Sequence, residues 1–460
     1  VERACPKRPR SMEPPEVKYA KSGEVHIAYQ VLGSGPVDFL LARSGVYHLE
    51  IAWDHPLNVR YHQELASLGR LIAFDKRGTG LSDRNVGVAT LEERMDDGRA
   101  VLDAVGSTRA ILVAARDAAA VALLFAATYP ERTRGLILMS PLATGVWSPD
   151  CPWSPTREQW ESTINRDLID WGSLAHVDRL TSELAPSRVD DAEVKRWLGR
   201  LYRNGASPAA GVALARMNME IDVRSALEAV HVPTLILHCK GDRAVSVEHG
   251  RYLAARIPGA RLVETPGVDH LFWLSAEQTK VVFDEIHRFV HGLSEVPETD
   301  RVLTTVLFTD VVESTRRASH LGDRAWSELL GRFLDDARSE TARFRGKTIK
   351  STGDGILAIF DGPTRAVRCA CVLRDRARAV GLEIRAGLHT GECMLKEGDV
   401  HGIAVHIAAR VSREAEEGEV LVSGTVRDLS VGSEVRFKDR GIRALKGLEG
   451  EWRMYSVDAG

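Results

Sequence analysis

The stretch ILVAARDAAAVALLFAATYPERT, residues Ile111–Thr133, decides how the first half of this chain is read. Residues Ile111–Ala115 have the length and apolar composition of a buried strand. Residues Ala118–Tyr129 are apolar on nearly every side, as a helix packed against a sheet must be. Only Arg116 and Asp117 remain between them, so strand passes into helix almost without a loop. The first of the two, Arg116, is a cation at every relevant pH and no nucleophile.

Outward from this stretch, short apolar runs alternate with amphipathic helices from Val25 to about His291. The strands expected are VDFLLA, RLIAFD, AILVA, GLILMS, TLILHC and ARLVET, and the helices include Leu91–Val105, Ala118–Tyr129, Val247–Ile257 and Ala276–Val290. Strand and helix in alternation predict an α/β class with a parallel sheet. One region breaks the rhythm. About 145–227 reads as a helical insertion capping the sheet, with Trp147, Trp153, Trp160, Trp171 and Trp197 expected as its packing core.

The polar stretch HGLSEVPETD marks a linker, taken as 293–300, and a second pattern follows. It reads as strand VLTTVLFTD, one long helix Ser314–Phe344, a hairpin of KTIK and GILAIF, and helix Pro363–Val380. Strand EIRAGLHTG, helix HGIAVHIAARVSREA and strand EVLVSG complete it. That β-α-β-β-α-β order is a ferredoxin-like palm. The domains expected are thus residues 16–292 and 301–460, after a flexible N-terminus at 1–15 in which Met12 is a candidate start.

Composition narrows the class. The 460 residues carry a net charge of −3, which offers no electrostatic reason to expect nucleic acid. The six cysteines form no CxxC pair or zinc spacing, and read as reduced thiols. The basic N-terminal residues are followed by no apolar core, and no run of eighteen apolar residues occurs anywhere, so neither secretion nor a membrane span is expected. Together these point to a cytoplasmic protein.

Chemistry concentrates in the second half. Asp310 ends an apolar strand in FTDVVEST, and Asp354 sits at a hairpin tip in KSTGDGILAIF. Singly, each is ordinary turn chemistry. A palm brings the two turns to one sheet edge, where paired carboxylates call for a cation such as Mg²⁺ or Mn²⁺. Ser314 and Thr315 then open a helix whose free amides can receive phosphate.

These motifs resemble the class III adenylate and guanylate cyclases over about 301–457. The resemblance implies metal ligation by Asp310, the Val311 carbonyl and Asp354, with two Mg²⁺ or Mn²⁺ per site. It implies that Lys350 and Asp399 read the purine, that Arg385 and Lys446 hold phosphates, and that Arg410 stabilises the transition state. A lysine–aspartate pair complements adenine N1 and N6, so ATP is the expected substrate and cyclic AMP the product. His406 departs from the family's asparagine, which puts the rate in question. The family shares its site between two chains, Asp310, Asp354 and Arg385 from one and the remainder from the other, so a homodimer is expected.

The first half, about 16–292, resembles the α/β-hydrolases. LHCKGDRAVSVEHG places Asp242 on the acid position and TPGVDHLFW places His270 on the base, in the family's chain order. The nucleophile elbow, however, reads Ala114-Ala115-Arg116-Asp117-Ala118. Both glycines and the serine are replaced, and LARSGVYHLE stands where an HGGG-type oxyanion loop would be. Arg116, Asp242 and His270 then form a degenerate triad, with Arg116 expected to pair with Asp242. The domain is expected to be regulatory, with a small-molecule ligand in its pocket. The competing reading is an esterase or lipase with a cyclase-like appendage, and a purely structural scaffold is a third.

Overall fold

The computed structural model describes residues 14–87, 89–293 and 300–458. Most of the expected flexible N-terminus, and 294–299 of the expected linker, lie outside the described residues.

The first sheet holds β1 (Lys18–Ser22), β2 (Val25–Leu32), β3 (Asp38–Ala42), β4 (Arg70–Phe74), β5 (Ala110–Ala115), β6 (Thr133–Pro141), β7 (Thr234–Cys239) and β8 (Arg261–Thr265). Its order is β1-β2-β4-β3-β5-β6-β7-β8. β3 to β8 follow the six expected runs and pair in parallel along with β4. The antiparallel β1–β2 hairpin at the edge was not anticipated, because its polar residues hide the alternation. Helix Pro56–Ser67 was also missed. Helix Leu91–Ala104 starts where expected, its first turn closed by a reciprocal Thr90–Glu93 capping box.

The insertion forms four helices, Arg157–Asp170, Leu174–Leu184, Ala192–Gly205 and Pro208–Met219. Its tryptophans do not make one core. Trp197 is buried, Trp147 is 49% exposed, and Trp153 packs against His249 and Tyr252 outside the cap. The indoles cover different seams, Trp160 donating to the Gly145 carbonyl, Trp171 to that of Ala206 and Trp197 to that of Ile51.

The second sheet holds β9 (Arg301–Val311), β10 (Lys347–Ser351), β11 (Ile356–Phe360), β12 (Ile384–Lys396), β13 (Asp399–His401), β14 (Val420–Ser423), β15 (Arg436–Ala444) and β16 (Glu451–Asp458). The order is β10-β11-β9-β12-β14-β16-β15, with β13 folded against the end of β12. The expected long helix is two, Ser314–Leu321 and Asp323–Arg343, because Gly322 adopts φ +79° and turns the chain. Leu307, Ala358 and Phe360 pack with residues of the helices Asp323–Arg343 and Pro363–Ala379, while Val306 and Leu357 pack with residues of the helix Ile403–Glu414. Both faces of its central strands β9 and β11 are therefore covered.

The two sheets share a core. Leu303 on β9 and Leu429 join the apolar cluster that includes Leu91 and Leu124 of the first half. Around it lies a cluster of charges. Arg365 pairs with Asp361 at 2.7 Å and with Asp96, Arg345 reaches Asp96 at 2.8 Å, and Tyr129 donates to Asp361 at 2.7 Å. The buried Glu92 carboxylate accepts the Thr364 amide. This contact engages Leu303–Thr305, five to seven residues before Asp310, hence roughly 20 Å along the strand from it. The Asp310 edge is left clear.

Candidate active site and the vestigial elbow

Register assembles the second-half site. Asp310 pairs with Arg385, Phe308 with Leu357, and Leu357 with Lys350. Directly paired residues point to the same side, and side chains alternate along a strand, so Phe308, Asp310, Arg385, Leu357 and Lys350 share one face. It is the face covered by helix Ile403–Glu414, which carries His406 and Arg410.

Asp310 Oδ2 accepts Arg385 Nη2 at 2.6 Å and Nε at 3.0 Å. Burial pushes the Asp310 carboxyl up, Asp354 adds to this, and Arg385 offsets it only in part. Asp354 is brought there by its glycines. Gly353 has φ +102°, and a Cβ on Gly355 would lie 1.8 Å from the Thr309 carbonyl oxygen, so the hairpin tip presses against the end of β9. Two crowded carboxylates facing one guanidinium form a site that wants more positive charge. No group of three or more His, Cys, Asp or Glu side chains fit to hold a metal occurs among the described residues. Two carboxylates and a strand-end carbonyl suit a hard cation that takes its other ligands from phosphate and water, so the donor set fits Mg²⁺ or Mn²⁺.

A second group forms beside it. Lys350 Nζ donates to Asp399 at 2.8 and 3.0 Å, and this bond, with the Val400 amide, holds the carboxyl below the usual range. Ser314 and Thr315 open their helix after Glu313, which has φ +55° and makes no side-chain cap. Arg410 is half-buried, while His406 and Lys446 are exposed. None of the three makes a side-chain bond among the described residues.

In the first half, Arg116 occupies the elbow with φ +44°, in the left-handed region that costs a branched-free but bulky side chain about 1 kcal/mol or more. The turn has kept its strain without its hydroxyl. His270 Nδ1 lies 2.8 Å from Asp242 Oδ2. Burial would raise the Asp242 carboxyl, yet His270 overrides this and holds it well below its ordinary value. The expected Arg116–Asp242 pair is not formed. Arg116 reaches instead to Glu183 of the cap, at 3.7 Å, because His270 already fills Asp242. Asp117 turns inward to Arg94 at 3.0 Å, Lys76 at 3.3 Å and the Gly45 amide at 3.0 Å. Against the effect of burial, the two cations keep its carboxyl well below its ordinary value, and burial brings Lys76 down to about 8. Sequence reasoning missed Arg43 and Lys76 in loops, Arg94 on helix Leu91–Ala104 and Glu183 on a cap helix, because each finds its partner only in space.

Residues 295–459 match the family described as the adenylate and guanylate cyclase catalytic domain, and residues 62–276 match serine aminopeptidase, S33. A pH-sensitive adenylate cyclase of Mycobacterium tuberculosis (strain CDC 1551 / Oshkosh) is 28% identical over 162 residues, 34% of this chain and 41% of that protein. Epoxide hydrolase 1 of Caenorhabditis elegans is 23% identical over 299 residues, 62% of this chain and 72% of its own. A bromoperoxidase structure from Bacillus anthracis superposes with a TM-score of 0.52 at 21% identity, covering 60% of this chain and 100% of its own. That likeness shows the first-half fold. The chain spans less than half the length of the cyclase relatives, 27% and 41% in two cases. Among the described residues no helix is long and apolar enough to cross a membrane.

Proposed function

We propose that this chain, which joins an α/β-hydrolase domain to a class III nucleotide cyclase domain, converts ATP to 3′,5′-cyclic AMP and pyrophosphate at a site shared by two copies. The observation that carries the choice of ATP is the Lys350–Asp399 pair, held at 2.8 Å, which one copy would present to the Asp310–Asp354 carboxylates of the other. Lys350 offers a donor to adenine N1 and Asp399 an acceptor to the N6 amine. Guanine reverses both groups and would leave polar atoms unpaired.

Divalent cations bound by Asp310, the Val311 carbonyl and Asp354 would neutralise the polyphosphate and acidify the ribose 3′-hydroxyl. The chain's own residues do the rest. Arg385 and Lys446 hold phosphate oxygens, with the free amides after Ser314 and Thr315 in support. The 3′-oxygen forms its bond to the α-phosphorus as the bond from that phosphorus to the α–β bridging oxygen breaks, the hydroxyl proton passes to water, and pyrophosphate departs with the bridging oxygen. Arg410 meets charge developing on the α-phosphate, while His406 orients the ribose. Arg410, His406 and Lys446, which make no side-chain bond among the described residues, are further groups that the second copy would supply.

The hydrolase-like domain acts as a regulator rather than an acyl-transfer enzyme, since Arg116 holds the nucleophile's place. Its elbow helix, Arg116–Thr128, runs from the pocket to the cyclase, where the next residue, Tyr129, bonds Asp361. The test is product analysis with Mn²⁺ and either ATP or GTP. Cyclic AMP should dominate and should vanish in Asp310→Asn with the fold intact. Equal cyclic GMP formation would defeat the base assignment, and an active Asp310→Asn protein the metal assignment.

A further inference from the structure

The pocket above the elbow carries more positive charge than its surroundings answer. It is a cavity of about 70 Å³, and both Arg43 and Arg116 line it. Arg43 is only 7% exposed. Its guanidinium lies 4.7 Å from the Tyr47 ring, 4.9 Å from Tyr61 and 5.5 Å from Trp273, and Nη2 meets His62 Nε2. His62 is neutral, since burial, reinforced by Arg43, holds its pKa far below the ordinary value. No carboxylate pairs with Arg43 among the described residues, and its Nε is buried without a partner. A buried cation in that state is costly unless something supplies the anion.

Three further features point the same way. Among the described residues, Arg116 has only the long 3.7 Å ion pair to Glu183. The helix Arg116–Thr128 starts at this cavity with Ala115 as its cap, which leaves its first amides without a side-chain acceptor. Leu184, Trp197, Leu201 and Phe272 give the remaining wall a large apolar part, beside the polar side chains of Ser44, Tyr202 and His270. One water needs at least about 10–15 Å³ of such space, so the cavity takes a ligand of only a few heavy atoms.

We infer that this pocket is a binding site for a short-chain organic carboxylate, its two oxygens held by Arg43 and Arg116 and its alkyl tail against the apolar wall. A planar anion offers both guanidinium groups matched acceptors, and the tail separates it from inorganic ions. The inference rests on reading the domain as non-hydrolytic, and that reading is tested separately by ester turnover.

The experiment is calorimetric titration and thermal unfolding of the full chain with propionate, propionamide, chloride and phosphate. Propionate should bind at one site per chain and raise the unfolding temperature, while the isosteric amide and the two inorganic ions should not. Arg116→Met should weaken propionate by about tenfold or more, losing one charge-assisted contact. Arg43→Gln should do the same; if it fails to fold, Arg116→Met decides alone. Absence of propionate binding into the millimolar range, equal binding of propionamide, equal binding of the inorganic ions, or undiminished affinity in Arg116→Met would each overturn the assignment. Ester hydrolysis by the protein would instead overturn the non-hydrolytic reading and leave the binding result to stand by itself.

Discussion

Glu92 offers a quantitative handle on how the two domains hold together. It sits at the start of helix Leu91–Ala104, buried, with its carboxyl against the Thr364 amide and 3.9 Å from Arg365. Burial raises its pKa from 4.5 to about 7, and Arg365 does not compensate. The raised value means that the folded protein binds this proton more tightly than the unfolded chain. Stability from the protonated group is therefore full below about pH 4.5 and declines as pH rises towards 7. The penalty above pH 7 is about 2.5 units at 1.36 kcal/mol each, or roughly 3 kcal/mol. Glu92→Gln keeps the carbonyl that accepts from Thr364 and removes the charge. It should match the wild type near pH 4.5 and exceed it at pH 8 by roughly 3 kcal/mol, on the order of 3–5 °C in unfolding temperature for a chain of this size. Thermal unfolding across pH 4.5–8 reads this directly. Parallel pH profiles for the two proteins would show that Glu92 is ionised in the folded state and would refute the reasoning.

Other outcomes follow from the same geometry. Asp354→Ala and Arg410→Ala should each be inactive, yet a mixture should regain cyclase activity, because one hybrid interface has both halves; no recovery between exchanging dimers would exclude a shared site. His406→Asn should keep or raise the rate and His406→Ala should cost less than about tenfold, whereas a loss like that of Arg410→Ala, about a thousandfold, would make the imidazole essential. Neither the natural protein nor Arg116→Ser should hydrolyse a short chromogenic ester, because both elbow glycines are alanine; turnover that disappears in His270→Ala would reverse this.

By itself the sequence determined most of the strand order and the residues from which the cyclase site is proposed. Short apolar runs are local signals, so six strands of the first sheet were legible, as were Asp310 at a strand end and Asp354 between two glycines. The missing elbow serine was equally plain, since one turn contains the whole motif. Less local features were beyond it. Gly322 splits a helix whose apolar periodicity continues across the break, and pattern alone does not show φ. Arg116 chose Glu183 over Asp242 because His270 was already there, a competition among residues up to 154 positions apart. Only the tertiary structure placed Arg43 among three aromatic rings without an acid, and only it set Glu92 against Thr364 at a distance of 272 residues. Periodicity reports which face of an element is buried. Which charges share that burial, and with what partner, depends on how separate elements pack, and at these two arginines and this glutamate that packing sets the chemistry.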